Sequence, residues 1–170
     1  MTAKTLRLLI TSECNKNCEG CCNKQYDLNT LPKITHEELS EYDEIIVTGG
    51  EPTFAKDELR KVMYVLINTK IKAKKYLYTN GYDPALIEDL LLLYFDGITF
   101  SLHEQSDVEQ FLKLNKALEQ YRFKTKSLRL NVFKGIILPD IDLSKWQIKK
   151  DIIWLDPCPL PENESFKRFF

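Results

Sequence analysis

Nothing in this 170-residue sequence stays apolar for the roughly 20 consecutive residues that cross a membrane. A run of four leucines, Leu90 to Leu93, closes a helical pattern instead. The start, Met1-Thr2-Ala3-Lys4-Thr5-Leu6, has no extended apolar segment and no cleavage pattern, so a cytoplasmic protein is expected. Charge of one sign is also missing: 24 basic against 25 acidic residues leave a formal net charge of -1. That balance provides no electrostatic footprint for nucleic acid. The densest basic run, Lys70 to Lys75, reads as a solvated junction between helix and strand. Low-complexity tracts are absent, and hydrophobic residues make up 44%, enough to pack one core in a chain of single-domain size.

The pattern that is present alternates strand and helix. Leu6–Ile10, Glu44–Thr48, Tyr76–Tyr78, Gly97–Ser101, Leu128–Phe133 and Ile152–Leu155 are strand-like. Between them, Leu59, Val62, Met63 and Leu66 recur at helical spacing, as do Leu86, Ile87, Leu90 and Leu93. Asp83-Pro84 is an N-cap followed by proline at the first helical position. Thr35-x-x-Glu38 and Ser106-x-x-Glu109 are capping boxes. A short helix is expected over 143–149. Such alternation implies right-handed βαβ units and a parallel sheet. The expected fold is α/β, a partial (β/α)6 barrel in one compact domain, with a doubly wound sheet as rival. Residues 1–156 form the core, and 157–170 form a tail that either covers the barrel mouth or stays partly unstructured.

Parallel α/β folds bind ligands at the carboxyl ends of their strands. Here those ends carry the cysteine loop, Thr48-Gly49-Gly50-Glu51-Pro52, Thr79-Asn80-Gly81, Ser101-Leu102-His103, Asn131 and Asp156.

Four of the five cysteines lie between Cys14 and Cys22. A disulfide framework would spread its cysteines across the fold, whereas a cluster without an export signal reads as a metal site. Cys14, Cys18 and Cys21 follow C-x3-C-x2-C. Soft thiolates suit zinc, copper(I) or iron–sulfur clusters. A closed zinc site needs four ligands, and no second cysteine pair follows. Three thiolates on a four-iron cluster leave one iron open.

C-x3-C-x2-C after the first strand, with Gly49-Gly50-Glu51-Pro52 after the second, resembles the radical S-adenosylmethionine (SAM) superfamily. The resemblance covers Leu6 to about Leu155. It implies that Cys14, Cys18 and Cys21 ligate a [4Fe-4S] cluster whose fourth iron takes the methionine end of SAM. It further implies that Gly49, Gly50 and Glu51 bind the methionine ammonium, that Pro52 stiffens the turn, and that Asn80, Ser101 and Asn131 contact ribose or carboxylate. The adenine is expected near Asn131 and Leu155. The activity implied is reductive cleavage of SAM to methionine and a 5′-deoxyadenosyl radical, fed by a one-electron reductant such as flavodoxin. Cys18-Glu19-Gly20-Cys21-Cys22-Asn23-Lys24 is most similar to the activating proteins of anaerobic ribonucleotide reductase, which points to a glycyl-radical enzyme as partner. A small molecule, nucleoside or peptide substrate is the alternative. An iron–sulfur electron carrier or zinc module is the rival of another class, and neither gives Gly49–Pro52 a role.

Cys22 reads as a buried free thiol and Cys158 as a structural cysteine. His103 stands where it would either meet a ligand or bond nearby backbone. Lys134 and His36 read as solvated, and Trp146 and Trp154 as core or lid packing.

Overall fold

The computed structural model describes residues 3–69, 71–159 and 161–170. Its strands are β1 (Thr5–Leu9), β2 (Glu44–Thr48), β3 (Lys74–Thr79), β4 (Gly97–Leu102), β5 (Ser127–Phe133), β6 (Gln147–Ile152) and β7 (Glu164–Arg168). The helices are α1 (Lys56–Asn68), α2 (Pro84–Leu93) and α3 (Asp107–Leu118). Every strand pairing is parallel, in the order β6-β5-β4-β3-β2-β1-β7.

From β1 to β6 the sheet grows in one direction only. Right-handed crossovers that never reverse direction put all helices on one face, whereas a doubly wound sheet must reverse. Leu6, Leu8, Val47, Leu77, Phe100 and Leu130 face that side and share one core with Leu59 and Val62 of α1, Ile87 and Leu91 of α2, and Phe111 and Leu114 of α3. Alternation along the strands sends Arg7, Thr48, Tyr78, Ser101 and Asn131 to the other, half-buried face. With β6 and β7 at opposite edges the barrel is partial, and the polar face is free to hold a ligand.

Seven strands form where six were expected. The seventh comes from the segment read as a tail: β7 adds beside β1, where the Glu164 carboxylate accepts from Arg7 Nε. The sixth lies earlier than expected, at Gln147–Ile152, so the helix over 143–149 does not form and Ile153, Trp154 and Leu155 are exposed loop. β6 is an edge strand exposed nearly throughout, and its pairing with β5 supplies the order that its own sequence pattern does not. Lys149 and Lys150 on it discourage pairing with another chain.

The Thr35–Glu38 box forms as expected: Thr35 N donates to Glu38 and Glu38 N to Thr35 Oγ1, opening a 3₁₀ turn over Glu38–Glu41. The box at Ser106 does not form. Ser106 Oγ instead donates to Glu104, and Asp107 takes the neighbouring amides.

Asp83 caps α2 by accepting from Leu86 N at 3.1 Å, and it meets Lys56 Nζ at 2.6 Å. Burial alone would raise its pKa, but Lys56 and the helix amides outweigh burial and hold the carboxyl below its ordinary value. Asp83→Ala should therefore cost about 1 kcal/mol, nearly all of it from the cap, because Lys56 is half exposed. A depressed folded-state pKa means the contribution is present above the unfolded value of roughly 3.9 and is lost as pH falls through the folded one. Urea melts of wild type and variant should differ at pH 7 and converge in acid.

Candidate functional site

β1 and β2 stay paired beyond their ends. Ile10 N donates to Thr48 O, Gly50 N to Thr11 O and Glu51 N to Glu13 O, all within 3.0 Å. This backbone zipper lays the turn after β2 flush against residues 11–13, immediately before Cys14. Only glycine fits there: a Cβ at Gly49, where φ is 140°, would come within 2.3 Å of Thr11 O, and one at Gly50 within 1.9 Å of Glu13 O. The close approach puts the cysteine loop and the Gly-Gly-Glu turn on one cavity.

That cavity is about 450 Å3, inside the roughly 300–1,000 Å3 of small-molecule sites. Cys14, Cys18 and Cys21 line it as free thiols, together with Gly49, Gly50, Glu51, Asn80 and Ser101. The structure thus brings together eight of the residues singled out from sequence. Pro52 is buried behind the turn, and Asn131 stands beside Ser101, with Nδ2 3.4 Å from Ser101 Oγ. Leu155 is elsewhere: half its surface is exposed, and its carbonyl accepts from Gln25. Trp154 lines the cavity in its place.

Glu51 departs most from expectation. Its side chain is fully buried, with Oε1 accepting from Thr53 N, Thr53 Oγ1 and Thr79 Oγ1 and Oε2 from Asn80 N. The carboxylate expected to meet an ammonium is engaged by the protein's own donors. Burial raises its pKa, and the four donors pull against that rise. Its visible effect is to join the end of β2 to the end of β3 and so fix Asn80. Glu51→Gln would turn an NH2 toward donors, leaving at least one buried group unsatisfied at about 1–3 kcal/mol. Expected is a melting temperature lower by roughly 2–12 °C at unchanged volume, read by thermal unfolding.

Asn80 Nδ2 donates to Asn15 Oδ1 at 3.0 Å and lies 3.7 Å from Cys14 Sγ. Its Oδ1 is buried without a partner among the described residues. An orphaned acceptor in the cavity wall is a group that a donor-bearing ligand would satisfy. Asn23 Nδ2 donates to Gly49 O at 2.6 Å, leaving that carbonyl one lone pair. Burial pushes the Cys14 and Cys18 thiols above the ordinary cysteine value. Three half-buried thiols on one cavity, with Lys16 opposing the effect of burial on Cys14 and Cys18, are the donor set that a metal centre deprotonates and holds.

The sequence offered little warning of one further anchor. Lys16, inside the cysteine loop, buries its ammonium between Glu104 and Asp107, and Asp107 also accepts from the amides of His103 and Glu104. His103 Nδ1 lies 3.8 Å from Cys18 Sγ, with its ring packed on Phe133 and Trp154, and burial lowers its pKa. Arg7 and Tyr78 form part of the cavity lining, the guanidinium 5.7 Å from the ring centre. Alternation along β1 and β3 was the only signal for that pair.

Cys22 is not a free thiol. It is bonded to Cys158 across 136 residues, with Cα atoms 5.4 Å apart. Spacing could not reveal this bond, because the tail folds back across the sheet to make it.

No protein-family model matches the chain. A GTP 3',8-cyclase of Aquifex aeolicus (strain VF5) is 35% identical over 66 residues, covering 32% of this chain and 21% of the cyclase. The chain thus matches about a fifth of that relative's length. Among solved structures, BtrN in complex with AdoMet and 2-DOIA shares the fold at a TM-score of 0.55 and 17% identity, over 99% of this chain and 70% of BtrN. No helix among the described residues is long and apolar enough to cross a membrane.

Proposed function

We infer that the chain is a member of the radical SAM superfamily, holding a [4Fe-4S] cluster on Cys14, Cys18 and Cys21 and SAM in the cavity beside them. The observation that carries this reading is the convergence of three free cysteines and the Gly49-Gly50-Glu51 turn on one cavity with an unsatisfied Asn80 oxygen. When bound, the cluster supplies the electron that cleaves SAM to methionine and a 5′-deoxyadenosyl radical, which takes a hydrogen atom from substrate. The chain's own residues orient and shield. Glu51 fixes Asn80, whose amide offers an acceptor to the ligand and a donor toward Cys14. Gly49 O and Ser101 Oγ offer further polar contacts to the amino-acid and ribose parts. Trp154, Phe133 and His103 shield the cluster side from water.

The cyclase relative, and a neighbour solved with AdoMet, support the cofactor assignment. For the substrate, a glycine of a glycyl-radical enzyme is the reading that the Cys18–Lys24 loop favours. A small-molecule substrate is the second reading, favoured by the names of both similar proteins. The test is anaerobic reconstitution with iron and sulfide, then dithionite and SAM, with chromatography of 5′-deoxyadenosine. A brown protein whose spectrum shifts with SAM and that releases 5′-deoxyadenosine is expected. A colourless protein that takes zinc would overturn the reading.

A further inference from the structure

Cys22 adjoins the ligand-type Cys21 and lines the same cavity, while its partner Cys158 follows β6, 136 residues later. Three hydrogen bonds run parallel to the bond between them. Gln25 Nε2 donates to Leu155 O, Tyr26 Oη to Cys158 O, and Cys158 N to Gln25 Oε1. One residue before this seam, Trp154 lies so close to the cysteine loop that a Cβ on Gly20 would fall 2.3 Å from its ring. The segment therefore presses an indole onto the loop that carries Cys18 and Cys21. Outside the seam its hold is the Trp154 ring on His103 and Phe133, and Ile153, Trp154 and Leu155 are all substantially exposed.

We propose that Cys22 and Cys158 form a reversible thiol–disulfide site that clasps residues 153–158 over the cysteine loop when oxidised and releases them when reduced. The proposal rests on the cluster reading above. Its reactants are small disulfides and dithiols of the glutathione and thioredoxin class. In closing, the two thiols give up two electrons and two protons, and one molecule of a small disulfide takes them up to become two thiols. In opening, a dithiol returns them and is itself oxidised. The conditions that reduce an iron–sulfur cluster also favour the dithiol, so the closed form belongs to the oxidised, resting protein and the open form to the working one. Closure keeps solvent and oxidants from the cluster, and release bares the rim to substrate.

The experiment uses the reconstituted holoprotein, treated anaerobically with either oxidised glutathione or dithiothreitol. Alkylation and peptide mass spectrometry should find a Cys22–Cys158 linked peptide only after the first treatment. Iron release to a strong chelator should then be at least about fivefold slower in the linked form. Cys158→Ser should release iron at the fast rate under both treatments. In the metal-free chain, chymotrypsin should cut after Trp154 and Leu155 at least about fivefold faster once the bond is reduced. Failure to form the linked peptide at any glutathione ratio, or equal rates in both forms, would overturn the clasp. A chain that takes up no iron fails the cluster reading instead, and the protease comparison still decides the clasp.

Discussion

Replacing Cys18 with alanine will leave the reconstituted chain with iron at background and no measurable 5′-deoxyadenosine, while replacing Cys22 with alanine will leave iron content at the wild-type level. The contrast follows from what each thiol faces. Cys14, Cys18 and Cys21 are free in the structure and line one cavity, whereas Cys22, also at the cavity wall, spends its sulfur on Cys158. Losing a group that merely supports a metal ligand costs 10- to 100-fold in affinity, so losing a ligand should cost at least about 100-fold. Iron per chain, measured colorimetrically beside the visible absorption of the cluster, separates the two variants. Loss of iron in the Cys22 variant would mean that the ligand set differs from C-x3-C-x2-C.

The second large effect is on folding. Lys16→Met removes one partner of an ion pair whose side chains are only 12% and 5% exposed, and leaves the Asp107 carboxylate buried. Breaking such a pair costs roughly 3–5 kcal/mol. Asp107 keeps two backbone donors, at 2.8 Å from His103 and 3.1 Å from Glu104, which favours the lower end. For a chain of this size about 3 kcal/mol corresponds to a melting temperature lower by roughly 6–12 °C. The exposed pair Lys4–Glu41 is the control: Lys4→Met should cost under about 1 kcal/mol. Equal effects in the two variants would show that Lys16 is not a buried anchor. The same loss should loosen the cysteine loop, because Lys16 ties it to the start of α3.

How far these features were legible depends on whether the signal was local. Asp83-Pro84 and the Thr35–Glu38 box are short-range chemistry, and both form as read. The two glycines after β2 were read as part of a ligand-binding turn, while the neighbour that requires them, the backbone of residues 11–13, had no local signal. The surroundings of Glu51 were not legible, because three of its four donors come from Thr53 and Thr79, hydroxyl residues with no local signature. β6 lacked any apolar alternation, and a short helix was expected over 143–149 in its place. Trp146, read as core or lid packing, is a core residue whose Nε1 donates to Asn115. Lys16–Asp107 and Cys22–Cys158 join residues 91 and 136 positions apart. Pairings of that span are products of topology.

The position of β7 has a consequence for how the chain is made. β1 leaves the ribosome well before β7, one of its two neighbours in the sheet. Until residues 164–168 emerge, the strand that leads into the cysteine loop keeps a bare edge and Arg7 lacks Glu164. Assembly of the loop's surroundings is thereby deferred until β7 has been made, and a nascent chain stalled before it would offer other polypeptides an open strand.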